Sequence, residues 1–301
     1  MLTFPINTMF IEGPDCSGKT TLIESIHDMT NYMWHVMDRS QFSRNVFAKF
    51  YSRNTKNATY DFHNEISNLN NRYFILLPGI QVVRQRFKLR GDKIHNLRSL
   101  EMVYKAFEKE SEILRGYPNV TVINSNADSI EIGQRLIASS VLSERPQIRE
   151  ISDQVLMLVK AKGNESYPVQ FTLYDDGKFE EASDSCFDYE PEKEYYEGIY
   201  DKLHKKISNE LEGKNEYNRV EDFKSRRFVY TDDSCISFIQ VAIRDSVMDF
   251  NVVVRSTNVK DTFPYDLRFL YYLASTCFKR FDNHCKTARL RFNLNSAHVI
   301  I

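Results

Sequence analysis

Short apolar runs alternate with helical stretches through the first half of the chain, and the alternation predicts an α/β fold built on a parallel sheet. Thr8–Ile11, Met33–Met37, Tyr73–Leu77 and Val120–Ile123 read as strands. Helical spacing covers segments near Ile80–Leu89 and Ser99–Leu114, the second ending at Gly116-Tyr117-Pro118, and Ser129–Ser140 closes this half. Ser143-Glu144-Arg145-Pro146 is the expected linker, which sets domains at residues 1–142 and 147–301. Beyond it, the acidic, tyrosine-rich stretch from Glu180 to Glu197 reads as a solvated loop and Tyr200–Leu211 as a helix. From Arg226 onward the pattern turns to strands, at Arg227–Tyr230, Ile236–Arg244 and Phe250–Arg255, with a helix from Tyr265 to about Phe278.

Composition narrows the classes. With 301 residues, 42% hydrophobic and 27% charged, either half is long enough to bury a core of its own. No segment approaches the roughly 18 uninterrupted apolar residues of a membrane span, and the first residues lack the pattern of a signal peptide. The five cysteines (Cys16, Cys186, Cys235, Cys277, Cys285) are scattered with no C-x-x-C pair, which argues for a reducing, cytoplasmic setting and against a zinc site. A net charge of −1 supplies no global attraction to nucleic acid, although a local basic cleft remains open.

Candidate chemistry concentrates at Gly13-Pro14-Asp15-Cys16-Ser17-Gly18-Lys19-Thr20, which matches the phosphate-binding pattern G-x-x-x-x-G-K-[ST]. A buried strand precedes it and an amphipathic helix beginning at Thr21-Leu22-Ile23 follows, the context that the chemistry needs. Loop N–H groups and the positive end of a helix form a cradle for phosphate oxygens. Lys19 is expected on the β/γ-phosphates of ATP and the Thr20 hydroxyl on Mg²⁺. A chance loop with a solvated lysine is the bland alternative.

Phe10-Ile11-Glu12-Gly13 through Thr21-Leu22 resembles the phosphate loop of thymidylate and deoxynucleoside kinases. Asp38-Arg39-Ser40, with Ser43 following, resembles that superfamily's D/E-R-[SY] motif; the resemblance implies that Asp38 assists Mg²⁺ and Arg39 contacts the transferred phosphate. Arg72 to Pro78 resembles the strand leading to the lid, and Arg84, Arg86, Arg90 and Gly91-Asp92 resemble the arginine-rich lid itself. Mobile guanidinium groups suit a phosphoryl group in flight, whose charge spreads over three oxygens; a solvated helix face is the alternative. The interval between Thr21 and Asp38 has no room for the strand and helix that thymidylate kinases place there, so the acceptor need not be a free mononucleotide. The resemblance puts Asp15 against an acceptor sugar hydroxyl; it could equally orient another acceptor hydroxyl or only cap the loop.

From Ser225 onward, landmarks occur in the order found in thymidylate synthases and pyrimidine hydroxymethylases. Arg226-Arg227 resembles the arginine pair that reaches a partner subunit's nucleotide phosphate. Cys235 with Gln240 resembles the nucleophilic cysteine and its glutamine, and Arg255-Ser256 the phosphate-binding pair. Asp266, in Phe263-Pro264-Tyr265-Asp266, resembles the residue that reads the pyrimidine edge, and His298 the histidine on the sugar hydroxyl. The resemblance implies a shortened α+β domain that keeps nucleotide recognition and homodimer formation and has lost one-carbon transfer. Cys235 is either a nucleophile toward pyrimidine C6 or a small buried strand residue.

Together the halves resemble the logic of bacteriophage 5-hydroxymethyl-deoxyuridine DNA kinases, with ATP and Mg²⁺ as cofactors and 5-hydroxymethyluracil in DNA as acceptor. A base in duplex DNA would have to flip out to be phosphorylated. The alternatives are a deoxynucleoside monophosphate kinase, bifunctional with a hydroxymethylase, and an ATP-binding nucleotide sensor.

Overall fold

The computed structural model describes residues 1–54, 56–91, 96–143, 146–166, 168–211, 228–281 and 283–300. The chain parts into two units, Ile6–Glu144 and Met1–Pro5 with Arg145–Ile301. The first five residues therefore leave the domain in which the sequence places them. Their strand β1 (Leu2–Thr3) pairs antiparallel with a strand of the second unit.

In the Ile6–Glu144 unit the order is β2 (Thr8–Glu12), α1 (Lys19–Thr30), β3 (Val36–Asp38), α2 (Gln41–Phe50), α3 (Lys56–Ile66), β4 (Asn71–Leu76), α4 (Ile80–Arg90), α5 (Leu97–Leu114), β5 (Val120–Ile123) and α6 (Ser129–Ser143). The strands form a parallel sheet in the order β3-β2-β4-β5, so the chain reverses direction across the sheet between β3 and β4. Crevices at the carboxyl ends of strands at such a reversal are where α/β sheets take ligands. The expected strand from Met33 begins only at Val36. Asn31 and Tyr32 turn the chain in left-handed conformation after α1, and pairing to β2 starts at Met9 with Val36.

Side-chain alternation along β2 explains the layers. Met9 and Ile11 point into a core with Leu22, Ile26, Phe74, Leu76, Ile132 and Leu136, so α1 and α6 cover one face. Phe10 and Glu12 point the other way, where Phe10 stacks on Tyr73 at 5.0 Å and Phe42 packs against Phe62 and Phe107 from α3 and α5. A sheet covered on both sides reads as near-continuous apolar strands, and β4 is buried throughout.

The second unit continues with α7 (Ile148–Ala161), β6 (Glu165–Ser166), β7 (Val169–Asp175), α8 (Lys193–Leu211), β8 (Phe228–Thr231), β9 (Ile236–Arg244), β10 (Val247–Val254), β11 (Thr257–Asn258), α9 (Phe263–Arg280), β12 (Thr287–Leu294) and β13 (Ala297–His298). Its six-stranded sheet runs β1-β7-β12-β10-β9-β8, antiparallel except for the parallel pair β10–β12. The strand-rich region thus begins well before Arg226, at β7. Ala288, Leu290, Phe292 and Leu294 of β12 are buried while the residues between them are not, an alternation of period two.

The acidic, tyrosine-rich stretch is not a solvated loop throughout. Helix α8 starts at Lys193, and Tyr196, Ile199, Leu203 and Ile207 form its buried stripe. Tyr196 stacks on Phe269 of α9 at 4.3 Å, and a short 3-10 turn at Asp184–Asp188 buries Cys186. Acidic neighbours masked a helical apolar spacing. Among the described residues no helix is long and apolar enough to cross a membrane.

Phe107 is fully buried against Phe42 and Phe47. Phe107→Ala is expected to destabilise its unit by about 3–5 kcal/mol through the cavity left behind. Urea unfolding of wild type and variant, followed by circular dichroism, measures it.

Candidate active site

The loop after β2 passes so close to β4 that a Cβ on Gly13 would lie 2.4 Å from the Leu76 carbonyl oxygen. Gly13, Cys16 and Gly18 all have positive φ. Successive residues of this kind curve a loop into a concave cradle for anions. The loop closes on a buried ammonium: Lys19 Nζ donates to the carbonyls of Gly13 and Pro14, each at 2.9 Å. Burial, and then the nearby Arg39, hold the Lys19 pKa below its usual value. Among the described residues the buried Ser17 hydroxyl has no hydrogen-bond partner, which suits a loop shaped to take a ligand.

A cavity of about 530 Å³ opens over the loop. Asp15, Cys16, Gly18, Lys19, Thr20, Thr21, Asp38, Arg39, Arg86 and Arg90 line it, together with Asp128 and Ser129. The phosphate loop, the Asp38-Arg39 motif and two of the three expected lid arginines therefore meet at one place. Arg39 Nη2 lies 2.6 Å from Asp15 Oδ1, and the guanidinium rests over the Phe47 ring at 5.1 Å. Arg86 Nη1 donates to the Ser17 carbonyl at 2.7 Å.

Arg84 does not join them. Its Nε lies 2.7 Å from Glu101 Oε1 on α5, and it does not line the cavity. Residues two apart on a helix point to different sides, whereas Arg86 and Arg90, four apart, share a face. Asp92 of the expected lid lies outside the described residues.

Three residues at the site escaped the sequence reading. Asp128 caps α6, accepting from the Glu131 N–H at 2.9 Å, and the D-x-x-E spacing at a helix start was the available signal. Ser129 follows it. Glu12 is fully buried at the end of β2, where its carboxylate accepts from the Ser40 N–H and from the Ser43 hydroxyl. Burial pushes its carboxyl up to about 7 against the lowering effect of those bonds. Glu12 lies inside the phosphate-loop motif, which was the available signal, but the motif by itself gave it no role.

In the second unit, Arg226 and Arg227 lie outside the described residues. Cys235 is exposed in the turn before β9, not a buried strand residue. Its carbonyl accepts from the Arg255 N–H at 2.7 Å, so Cys235, Arg255 and Ser256 come together at one end of the sheet. The thiol is held above its usual pKa by partial burial and by the carboxylates of Asp266 and Glu192, more than Arg255 offsets. An activated nucleophile needs the opposite shift.

Asp266 does not present an edge to a ligand. It is buried, accepting from the Tyr196 hydroxyl at 2.8 Å and the Thr257 hydroxyl at 3.1 Å, and desolvation raises its carboxyl to about 6. His298 sits on β13, paired with Asn258 of β11 and Glu165 of β6.

No family model matches the chain, and no curated protein does. Solved structures with partial similarity include YorR from Bacillus subtilis in complex with phosphorylated GDP, at 17% identity, covering 45% of this chain and 96% of that one with a TM-score of 0.38. A deoxyadenosine kinase from M. mycoides with dCMP and dCDP bound is 14% identical over 45% of this chain and 99% of its own, at a TM-score of 0.34. Thymidylate synthase A from Bacillus subtilis is 15% identical over 31% of this chain and 35% of its own, at 0.25. Likeness this slight carries no residue role across, and the site rests on its own geometry.

Because Asp266 titrates higher folded than unfolded, the folded protein binds the extra proton between about pH 4 and about pH 6 and loses stability as pH rises through that window. Asp266→Asn removes this loss. Its stability relative to wild type is expected to improve by up to roughly 3 kcal/mol between about pH 4 and pH 7, read from urea midpoints across that range.

Proposed function

We propose that the protein is an ATP-dependent kinase that phosphorylates an alcohol on a pyrimidine, with the hydroxymethyl group of 5-hydroxymethyluracil in DNA as the acceptor. The observation that carries the kinase reading is the convergence of Lys19, Arg39, Arg86 and Arg90 with Asp15 and Asp38 on one cavity above the phosphate loop. Phosphoryl transfer asks little of a protein beyond positioning and charge stabilisation, and this set offers both. Lys19 and the loop would hold the β- and γ-phosphates, and Arg39 and Arg86 would meet the charge that spreads over the moving group. Asp15 would orient the acceptor hydroxyl.

Thr20 and Asp38 present hard oxygen donors to the cavity and fit Mg²⁺, which would supply neutralisation of the phosphate charge when bound. Asp38 is exposed at the end of β3, free to turn toward the phosphates.

The acceptor assignment is supported by one chain joining this site to a unit whose sequence resembles pyrimidine-C5 enzymes while its Cys235 thiol is held protonated. That combination suits recognition of a pyrimidine without one-carbon chemistry on it. Arg255, exposed beside Cys235, would meet a backbone phosphate. Assembly as a homodimer through the second unit belongs to the same proposal. A deoxynucleoside monophosphate kinase is the second reading, favoured by a net charge of −1 that gives no long-range pull toward DNA.

Incubation with γ-labelled ATP and Mg²⁺ decides the acceptor when 5-hydroxymethyl-dUMP, dTMP, dCMP and duplex DNA containing 5-hydroxymethyluracil are offered in parallel. Phosphate on the hydroxymethyl group of the polymer is expected; label only in free diphosphates would move the enzyme to the precursor pool. Lys19→Ala should lower transfer about 100- to 1,000-fold with the fold intact by circular dichroism. Cys235→Ser should leave the rate of transfer largely unchanged, and complete loss would show that the second unit takes part chemically.

A further inference from the structure

Glu12 is a carboxylate buried beneath the cavity, outside its lining, with both oxygens engaged by the segment that follows β3. Burying a carboxylate is costly unless its bonds return something. Those bonds go to Ser40, the residue after Arg39, and to Ser43 in the first turn of α2. Ser40, whose N–H Glu12 accepts, is the next residue and caps α2, its hydroxyl accepting from Phe42 N–H at 3.0 Å. Ser43, one turn on, is buried.

Arg39 itself has a φ of 70°, a left-handed conformation that a long side chain adopts only when its surroundings hold it there. Two consecutive residues of β2 provide the hold. Ile11 O accepts from Arg39 N–H at 3.2 Å, and Glu12 accepts from Ser40 N–H. Thus held, the side chain crosses Phe47 and reaches Asp15, while its buried Nε has no partner among the described residues.

We propose that Glu12 is a positioning residue for phosphoryl transfer, placing Arg39 over the cavity through the backbone of Ser40 without touching the substrate. The proposal rests on the kinase reading above. An ionised carboxylate suits the task because an N–H can only donate, and both of its oxygens remain acceptors. The charged and titratable groups that interact with it are Lys19 of α1 and Tyr73 of β4. Against the desolvation that burial imposes, Lys19 favours its charged form.

The test uses the full chain and the variants Glu12→Ala, Glu12→Asp, Glu12→Gln and Arg39→Ala, with the double variant of the two alanines. Glu12→Ala should lower kcat roughly 100-fold with KM for ATP unchanged, as expected when a transfer group is displaced by about an ångström. The double variant should be no slower than Arg39→Ala alone, because one residue acts through the other. Glu12→Gln keeps an acceptor for Ser40 and should recover most of kcat. Glu12→Asp keeps the charge but withdraws it, and should be slow even if the alanine variant fails to fold. Losses that add in the double variant, or kcat and ATP affinity falling in step with thermal stability, would overturn the proposal.

Hydrogen exchange at Ser40, measured without nucleotide, separates this from failure of the kinase reading. Faster exchange in Glu12→Ala and Glu12→Asp, with Glu12→Gln close to wild type, supports the positioning role even if wild type phosphorylates none of the acceptors. Unchanged exchange overturns it.

Discussion

The end of β2 is the constraint on which the transfer site depends. A strand buried on both faces must release its chain at the sheet edge, and here the next residue is a glycine because the Leu76 carbonyl leaves no room for a Cβ. The loop that follows folds around the Lys19 ammonium, whose bonds to two loop carbonyls join its beginning to the start of α1. The neighbouring strand β3 ends beside it in register, Ile11 opposite Asp38, so the second motif arrives at the same height. Parallel pairing across the point where the chain reverses thus sets the geometry of the cavity before any side chain does.

Charge is layered around that point. Cations line the cavity on three sides, from α1, from the turn after β3 and from α4, with the carboxylates of Asp15, Asp38 and Asp128 between them. Beneath the floor lies the Glu12 carboxyl, fully buried and bonded to Ser40 and Ser43. Buried charge is tolerated only where it is paired and hydrogen-bonded, as Lys19 and Glu12 are here.

The second unit shows the same physics applied to a different end. The sequence resemblance would make Asp266 a reader and Cys235 a nucleophile, yet the carboxylate is consumed by Tyr196 and Thr257, and burial with the charges of Asp266 and Glu192 raises the thiol's pKa. The hydroxyls of a buried tyrosine and threonine need acceptors, and Asp266 provides them. The region is thereby organised as packed structure under a sheet end, with Arg255 left exposed at its rim.

Much of the first unit was legible along the chain. Val120–Ile123 and the start of α6 stand where the apolar pattern put them, and the loop motif sits between the strand and the helix that its chemistry requires. Local pattern carries this information because strand, turn and helix propensities act over a few neighbouring residues. The second unit was less legible: β7 and β12 were not read, and acidic neighbours hid the apolar stripe of α8. Only the tertiary structure decided that Leu2–Thr3 pairs with β7, that Arg84 turns to Glu101 while Arg86 reaches the loop, and that Glu12 bonds to Ser40. Those outcomes depend on helix phase, strand register and burial against residues far away in sequence, and no local pattern encodes them. The glycine-rich loop motif is a property of the sequence alone; which charges gather at it was settled by packing.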